Sequence, residues 1–235
     1  MFDAPGGSFR EDIDPLYKAN RPQTPDDLRS QFSMAHEVLA AMNVPCILQR
    51  GLEGDDLMAT YATQVQAQGG RTTLVTSDKD MMQLISPHCD IYSPLKKALL
   101  GEADVLDKFG VTPDKVVQVQ ALSGDPTDGI PGVKGVGIKT ASKLIKEHGS
   151  AEAVLTAARA GAVKGKLGEK LTTPESIDNV VKALQLVELI RNAEVDVPLD
   201  GLRRNRIDRN KLSDWLYEHE FWSILRPGKA KAKFF

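Results

Sequence analysis

The chain has 235 residues, 41% of them hydrophobic and 26% charged, with a formal net charge of −2. That is enough apolar material for one large domain or two smaller ones, and no apolar run approaches the roughly 20 residues that span a bilayer, so a cytoplasmic location is the default and no membrane partner is expected. Two cysteines, Cys46 in VPCIL and Cys89 beside a possible strand, make no disulfide framework and read as reduced packing residues.

Met1–Ala4 reads as the end of a strand, and Pro5-Gly6-Gly7 as a turn. Phe9–Arg21 is polar and charged and stops at Pro22. A helix then starts at Thr24 or Pro25, with Asp26 and Asp27 complementing its dipole and Leu28, Phe32, His36, Leu39 and Met42 at helical spacing. Asn43 closes it, and Val44–Leu48 reads as a buried strand. Asp55–Gln68 predicts a second helix, stopped by Gly69-Gly70. Arg71–Thr76 and Cys89–Tyr92 predict strands, and Asp80–Leu84 a short helix between them. Strands alternating with helices imply an α/β domain with a mostly parallel sheet flanked by helices.

Near Gly110 the pattern changes. Helical signals dominate thereafter, at Pro113–Leu122, Lys139–His148, Ala151–Ala160, Thr173–Arg191 and Lys211–Trp222, and Gly228–Lys233 forms a basic, poorly hydrophobic tail expected to be disordered. The organisation read from this is an α/β core over 1–110, a helical region over 111–202, and a closing helix with the tail over 203–235.

The charges are unevenly spread. Acids dominate up to about Asp80. Bases dominate 134–170 (Lys134, Lys139, Lys143, Lys146, Arg159, Lys164, Lys166, Lys170) and again from Arg203 onward, through Arg204, Arg206, Arg209, Lys211, Arg226, Lys229, Lys231 and Lys233. An acidic centre beside basic walls suits a protein that binds metal and phosphate together.

The acids fall in four clusters: Asp3 at the end of the first strand, Glu53, Asp55 and Asp56 in GLEGDD, Asp78 and Asp80 in TSDKD, and Asp125 and Asp128 in GDPTDG. Three clusters stand at predicted strand ends, where open α/β sheets bind ligands. Carboxylates that converge raise one another's pKa unless cations intervene, and hard oxygen donors select Mg²⁺ or Mn²⁺ over zinc. Taken singly, each acid is more often a solvated loop or cap residue; the joint placement is what points to a metal site. His36 lies on an apolar helix face, and His88, His148 and His219 lack partners at ligand spacing. Trp215 and Trp222, seven apart, read as helix packing.

The most specific segment is GDPTDGIPGVKGVGIKTASKLIKEHG. Gly132, Gly135 and Gly137 punctuate a tight turn, and Ala141, Leu144 and Ile145 form an apolar stripe on the helix it opens. Glycines admit close approach of a phosphate, and a helix N-terminus offers free N–H groups and a positive dipole end. With Lys134, Lys139 and Lys143 beside it, this reads as a clamp for a DNA backbone that takes no base sequence; the bland alternative is a packing corner with no ligand.

These residues resemble the 5′-nuclease family: the 5′–3′ exonuclease domain of bacterial DNA polymerase I, phage 5′-nucleases and flap endonucleases. The order FDA, YKxNR, GxExDD, TxDKD and GDxxDxIPGVxGxGxKTA is similar to that family from Met1 to about Leu202. The resemblance implies a PIN-like 5′-nuclease core followed by a helix–three-turn–helix DNA-binding region. It implies that Asp3, Glu53, Asp55 and Asp56 surround a first metal and Asp78, Asp80, Asp125 and Asp128 a second. Tyr17, Lys18 and Arg21 in YKANR match a helical gateway beside the scissile phosphate, with Lys18 and Arg21 catalytic and Tyr17 placed to stack on an unpaired base. Gly132, Val133, Lys134, Gly135, Val136, Gly137, Lys139 and Thr140 match the turn that grips duplex DNA, which in related enzymes also binds K⁺. The expected activity is structure-selective 5′–3′ exonuclease and flap endonuclease cleavage with two Mg²⁺ or Mn²⁺ ions, in DNA replication and repair. The expected setting is a bacterial or phage protein in the cytoplasm, monomeric and nucleoid-associated, with a DNA polymerase as partner. An RNA-directed PIN-type nuclease is disfavoured by the DNA-gripping turn.

One departure bears on this. The family fold starts with a strand carrying another acid in a sequence like VDG, then a helix, and Met1 stands where the second conserved strand is ending. A misplaced start codon, a fragment, or a partner chain supplying the piece would each account for it. The alternative expectation is therefore a DNA-binding chain with impaired catalysis and marginal stability.

Overall fold

The computed structural model describes residues 1–225; the tail expected at Gly228–Lys233 and the basic residue Arg226 lie outside them. The chain packs as two compact units. The first joins Met1, Asp3–Arg21 and Leu48–Glu194, on both sides of Gly110. The second joins Phe2, Pro22–Ile47 and the described residues from Val195 onward.

In the first unit, α1 (Phe9–Ile13) is capped by Ser8, whose hydroxyl accepts from the Arg10 N–H. Helix α3 (Gly54–Ala67) buries Leu57, Ala59, Tyr61 and Ala62 and leads to β1 (Thr72–Val75), which pairs in parallel with β2 (Cys89–Ser93). Strand β3 (Ala98–Leu100) returns antiparallel beside β2. The register aligns Leu74 with Ile91 and Ile91 with Leu100, and all three are buried; the next row, Val75, Tyr92 and Leu99, is exposed. Side chains alternate across a pleated strand, so one face lies on the core. Between β1 and β2, the 3-10 turn Asp80–Leu84 buries Met81, Met82, Gln83 and Leu84.

Helices α4 (Glu102–Phe109), α5 (Val116–Ser123), α6 (Ile138–His148), α7 (Ala151–Arg159), α8 (Gly165–Leu171) and α9 (Pro174–Val187) complete this unit. The predicted stripe holds: Ala141, Leu144 and Ile145 of α6 are buried in a core shared with Val116, Val119 and Leu122 of α5 and Val180 and Ala183 of α9. Thr173 caps α9 by accepting the Ser176 N–H, with Pro174 in the first turn. The helix expected to run to Arg191 ends earlier, at Val187. There the buried Gln83 amide donates to the Val187 carbonyl (3.0 Å) and accepts from the Leu189 N–H (3.1 Å), holding the chain extended. A contact 104 residues away in sequence thus sets the helix end.

Three further expectations are corrected. Met1–Ala4 and Val44–Leu48 form no strand; a single backbone bond, from Phe2 N–H to the Ile47 carbonyl (2.9 Å), joins them, and no ladder builds on it. The predicted helix Lys211–Trp222 is broken into α10 (Arg209–Glu218) and α11 (Trp222–Leu225) at Glu220, whose φ of 58° cannot continue a right-handed helix. Tyr17, Lys18 and Arg21 sit on turns after α1 rather than on a helix.

In the second unit, α2 (Asp26–Ala41) packs with α10. Trp215 stacks on His219 and Phe221 and donates to Glu37 (3.2 Å), while Tyr217 meets Trp222 edge-on. Both tryptophans are therefore packing residues, and His36 packs its ring on Phe2. Cys46 and Cys89 are free thiols. Among the described residues no helix is long and apolar enough to cross a membrane.

One buried ion pair ties the first unit together. Arg10, 1% exposed, makes a two-pronged bond to the fully buried Asp56 (2.7 and 2.9 Å) and also donates to the carbonyls of Leu186 (2.7 Å) and Glu188 (3.0 Å). Asp56 takes two more donors, the N–H groups of Glu53 (3.2 Å) and Ile190 (2.9 Å). Removing one partner of such a pair leaves an uncompensated charge. Arg10→Ala is expected to destabilise the fold by about 3–5 kcal/mol, measured by urea unfolding, and Asp56→Asn by less, since the amide keeps one acceptor.

Candidate metal and DNA site

The carboxylates arrive from three loops and one helix start. Glu53 and Asp55 stand where the chain enters α3, and their backbone is fixed because Asp56 closes a capping box with Glu53. Asp78 follows β1; its carboxylate accepts the Asp80 N–H (2.8 Å) and its own N–H donates to Thr76 (3.0 Å), so both acids of this loop are locally positioned. Asp125 and Asp128 lie on a tight loop between α5 and α6. This loop is closed by paired bonds between Asp125 and Ile130 (both 2.9 Å) and by Thr127 N–H donating to the Asp125 carboxylate (3.0 Å).

The turn carrying Tyr17 and Lys18 is packed directly on that loop. Lys18 N–H donates to the Asp128 carbonyl (2.8 Å), and Asn20 donates to the Pro126 carbonyl (2.8 Å). At Gly129, φ is +69° and an added Cβ would lie 2.7 Å from the Leu16 carbonyl oxygen, so glycine is what permits the approach. Lys18 itself is held at φ 54°, an uncommon conformation for a side-chain-bearing residue, and its ammonium reaches Glu53 at 2.7 Å.

The result is one small pocket lined by Glu53, Asp55, Asp78, Asp80 and Asp128 with Arg10, Tyr17 and Lys18. Asp80, Asp125 and Asp128 each offer a carboxylate oxygen within 4.8 Å of the others. A hard dication holds oxygens at about 2.0–2.5 Å from its centre, so this all-oxygen trio fits such an ion, and no nitrogen or sulfur donor accompanies it. Asp3 lies at the edge: it is exposed, it accepts the Gly54 N–H (2.7 Å), and its charge is felt at Asp55.

Protein cations already sit among these acids. Arg21 pairs with Asp128 (2.6 Å), and Lys79 pairs with Asp125 and with Asp80 (3.2 Å). Burial acts to raise the Asp125 pKa, but the bond from Lys79 outweighs it and the carboxyl lies below its ordinary value. Asp80 is pushed up, by burial first and then by Asp78, against the pull of Lys79. Asp55 is pushed up to about 7, by burial and by the charges of Asp78 and Asp3. Tyr17 is raised by burial and by Glu53.

Two assignments made from the sequence change. Asp56 faces away from the pocket, with both its oxygens spent on Arg10, Glu53 and Ile190; it holds the site together and offers no ligand. Tyr17 is 7% exposed, with its hydroxyl donating to Glu53 (3.2 Å) and the Lys18 ammonium over its ring, so it has no open face for a base to stack on. Three residues went unnoticed: Arg10, Lys79 and Gln120, whose amide donates to Asp80 (2.6 Å) from a buried position. Lys79 stood inside TSDKD, and its sign alone marked it; nothing in the sequence placed Arg10 or Gln120 beside an acid.

The glycine-rich turn folds as a second structure beside α5 and α6. Val133 N–H donates to the Leu122 carbonyl (2.9 Å) and Val136 N–H to the Val133 carbonyl (2.9 Å). Val133 and Val136 are buried, at 2% and 4% exposure, so of the eight residues read as a DNA contact these two are anchors instead. At Gly132 a Cβ would collide with the Gly124 backbone, so the two glycines are in backbone-to-backbone contact. Lys134, Gly135, Gly137 and Lys139 are exposed and Thr140 half-buried. Gly137 caps α6 without a side chain, leaving the first-turn N–H groups to an outside acceptor. Lys170 of α8 is brought beside Gly135.

An α/β unit that gathers carboxylates at its loop ends and carries a glycine-rich turn before an uncapped helix has the build of a nuclease. The chain belongs to the 5′-3′ exonuclease family: residues 1–110 match its N-terminal resolvase-like domain and residues 111–210 its C-terminal SAM fold. It is 38% identical over 226 residues to DNA polymerase I of Rhizobium leguminosarum, covering 96% of this chain and 22% of that protein. It is 32% identical over 229 residues to a 5′-3′ exonuclease of Aquifex aeolicus, covering 96% of this chain and 76% of that one. The chain therefore spans about a quarter or less of the length of the polymerase relative. In fold it is similar to the T5 D15 protein co-crystallised with metal ions, with a TM-score of 0.71 at 22% identity over 92% of this chain and 82% of that one. It is also similar to the catalytic core of Rad2 in complex with DNA substrate, with a TM-score of 0.59 at 15% identity over 96% and 75%.

The Asp55 shift predicts a pH dependence. In the unfolded chain its carboxyl titrates near 4, and in the folded state near 7. The folded state thus binds the extra proton between these values, and its contribution to stability is full below about 4 and lost as pH rises through 7. With chelator present, the melting temperature should fall between pH 5 and 8 measured by calorimetry. Asp55→Asn should flatten that slope.

Proposed function

We propose that this chain hydrolyses DNA phosphodiester bonds as a 5′–3′ exonuclease and 5′-flap endonuclease, using divalent ions held by the acidic pocket. The observation that carries the reading is the gathering of Asp55, Asp78, Asp80, Asp125 and Asp128 beside Lys18 and Arg21, from stretches of chain far apart in sequence. Two Mg²⁺ or Mn²⁺ ions are the intended occupants: Asp80, Asp125 and Asp128 with Asp78 around one, Asp55 and Glu53 with Asp3 around the other. When bound, such ions supply an activated water and stabilise the attacking and leaving oxygens of an in-line displacement.

The chain's own groups do the rest. Lys18, on the neighbouring turn, brings an ammonium to the pocket mouth that neutralises charge on the scissile phosphate, and Arg21 offers a planar guanidinium to its oxygens. Each is held by an acid of the pocket, Lys18 by Glu53 and Arg21 by Asp128, so both are pre-positioned. Tyr17 fixes Glu53 from below. The N-terminus of α6, with Lys134, Lys139 and Thr140, binds backbone phosphates of the duplex and reads no base; a K⁺ ion at Gly132–Gly137 belongs to the same reading. The substrate is DNA with a 5′ end or flap next to duplex, met by a monomer in the bacterial cytoplasm at the nucleoid. A DNA polymerase is the natural functional partner, since DNA polymerase I proteins are among its relatives.

Two outcomes check this. Incubated with Mg²⁺ and an end-labelled 5′-flap duplex, the chain should release short 5′ products, and the Asp78→Asn, Asp80→Asn double variant should lose cleavage by at least ~10²-fold while still retarding the duplex in a gel. Undiminished cleavage in that variant would remove the pocket from the reaction. Gly132→Ala, which forces backbone apart at the turn, should cost about 1–3 kcal/mol in urea unfolding and weaken duplex binding in the gel.

A further inference from the structure

The acid trio carries its own cation. Lys79 is the residue between Asp78 and Asp80, and its ammonium contacts the carboxylate of Asp125 and stands 3.2 Å from that of Asp80. These are two of the three acids whose oxygens lie within 4.8 Å of one another. The Asp125 side chain is 4% exposed, while that of Lys79 remains 31% exposed.

We propose that Lys79 is the resident counter-ion of this cluster, occupying the position that a divalent ion must take, so that metal loading requires its side chain to swing out. The inference rests on the reading that Asp80, Asp125 and Asp128 hold a metal. The two cations cannot share the site. A hard dication needs those oxygens at about 2.0–2.5 Å with its coordination filled by oxygen, and an ammonium donating to the same carboxylates would remain within a few ångströms of the ion. Like charges at that distance repel strongly even where the surroundings screen them as a protein surface does.

The geometry provides for the exchange. Lys79 precedes the 3-10 turn, whose Met81, Met82 and Leu84 are buried, so the backbone is anchored. Only the four-carbon stem has to rotate, toward the exposed side, and an ammonium gives up its partners more readily than a two-pronged guanidinium. The carboxylates themselves stay in place, since Gln120 holds Asp80 and Thr127 N–H holds Asp125. Lys79 therefore acts on the metal site through its charge: it offsets the repulsion among acids that Gln120 and Thr127 hold in place, and it weakens the ion's apparent affinity by competing for the same oxygens.

The experiment is Mn²⁺ titration of the whole chain and of Lys79→Gln by calorimetry without DNA, together with melting temperatures in chelator and in saturating Mn²⁺. The expected result is a several-fold lower dissociation constant for Lys79→Gln. Its melting point should be depressed in chelator and return close to that of the parent in Mn²⁺. Reductive methylation of the parent chain, read residue by residue by mass spectrometry, should label Lys79 slowly in chelator and faster with Mn²⁺. This last measurement needs no variant and stands if Lys79→Gln fails to fold. Equal or weaker Mn²⁺ binding by a folded Lys79→Gln, or labelling of Lys79 unchanged or slowed by Mn²⁺, overturns the proposal. If the parent chain shows no Mn²⁺ binding at all, the metal reading of the trio fails first, and the two failures are thereby told apart.

Discussion

Carboxylates packed this closely tolerate one another only where positive charge lies between them, and much of the first unit is arranged to meet that requirement. Arg10 is buried against Asp56, Lys18 reaches Glu53, Arg21 reaches Asp128, and Lys79 reaches Asp80 and Asp125. Apart from Lys79–Asp80, which are chain neighbours, each pair also joins segments of chain that share no secondary structure. Arg10 ties α1 to the start of α3 and to the carbonyls that follow α9. Neutralising the acids and closing the fold are thus achieved by the same side chains.

The pairs are not equivalent. Arg10–Asp56 is dry, fully bonded and permanent; its carboxylate has no oxygen left to give. Lys18 and Arg21 are partly exposed, each held by a single acid, and such contacts are weak enough to be exchanged for a phosphate. Burial therefore sorts four cation–acid pairs into one that builds the site and others that remain available to it. Asp55, half-buried beside Asp78 and Asp3 and without an ion-pair partner among these cations, is the acid pushed up to about 7.

The glycine-rich turn obeys a different constraint, backbone proximity. Gly132 and Gly124 touch main chain to main chain, and Gly129 admits the Leu16 carbonyl. The same loop that carries Asp125 and Asp128 thereby supports the Lys18 turn on one side and leads into the uncapped α6 on the other. A change in the loop would be felt in both the acidic pocket and the helix terminus, since a few residues of main chain are common to them.

Much of this was readable in the amino-acid order. Helical spacing announced α2, α3, α6 and α7; the acids in GLEGDD, TSDKD and GDPTDG announced a pocket of oxygen donors; and glycines next to lysines announced the turn. These are local signals, carried by neighbours within one or two helical turns. What the order of residues left open depends on contacts between distant segments. Asp56 looked like its neighbour Asp55 until Arg10, 46 residues earlier, claimed both its oxygens. Tyr17 looked like a platform for a base until Glu53 took its hydroxyl and the Lys18 ammonium came over its ring. Helix α9 looked longer until Gln83 clasped its end, and Met1–Ala4 and Val44–Leu48 looked like strands although only one backbone bond joins them. A side chain's chemistry is written in its identity, but whether it faces solvent, a partner or an ion is decided by which other segment arrives beside it, and that is a property of the folded chain alone.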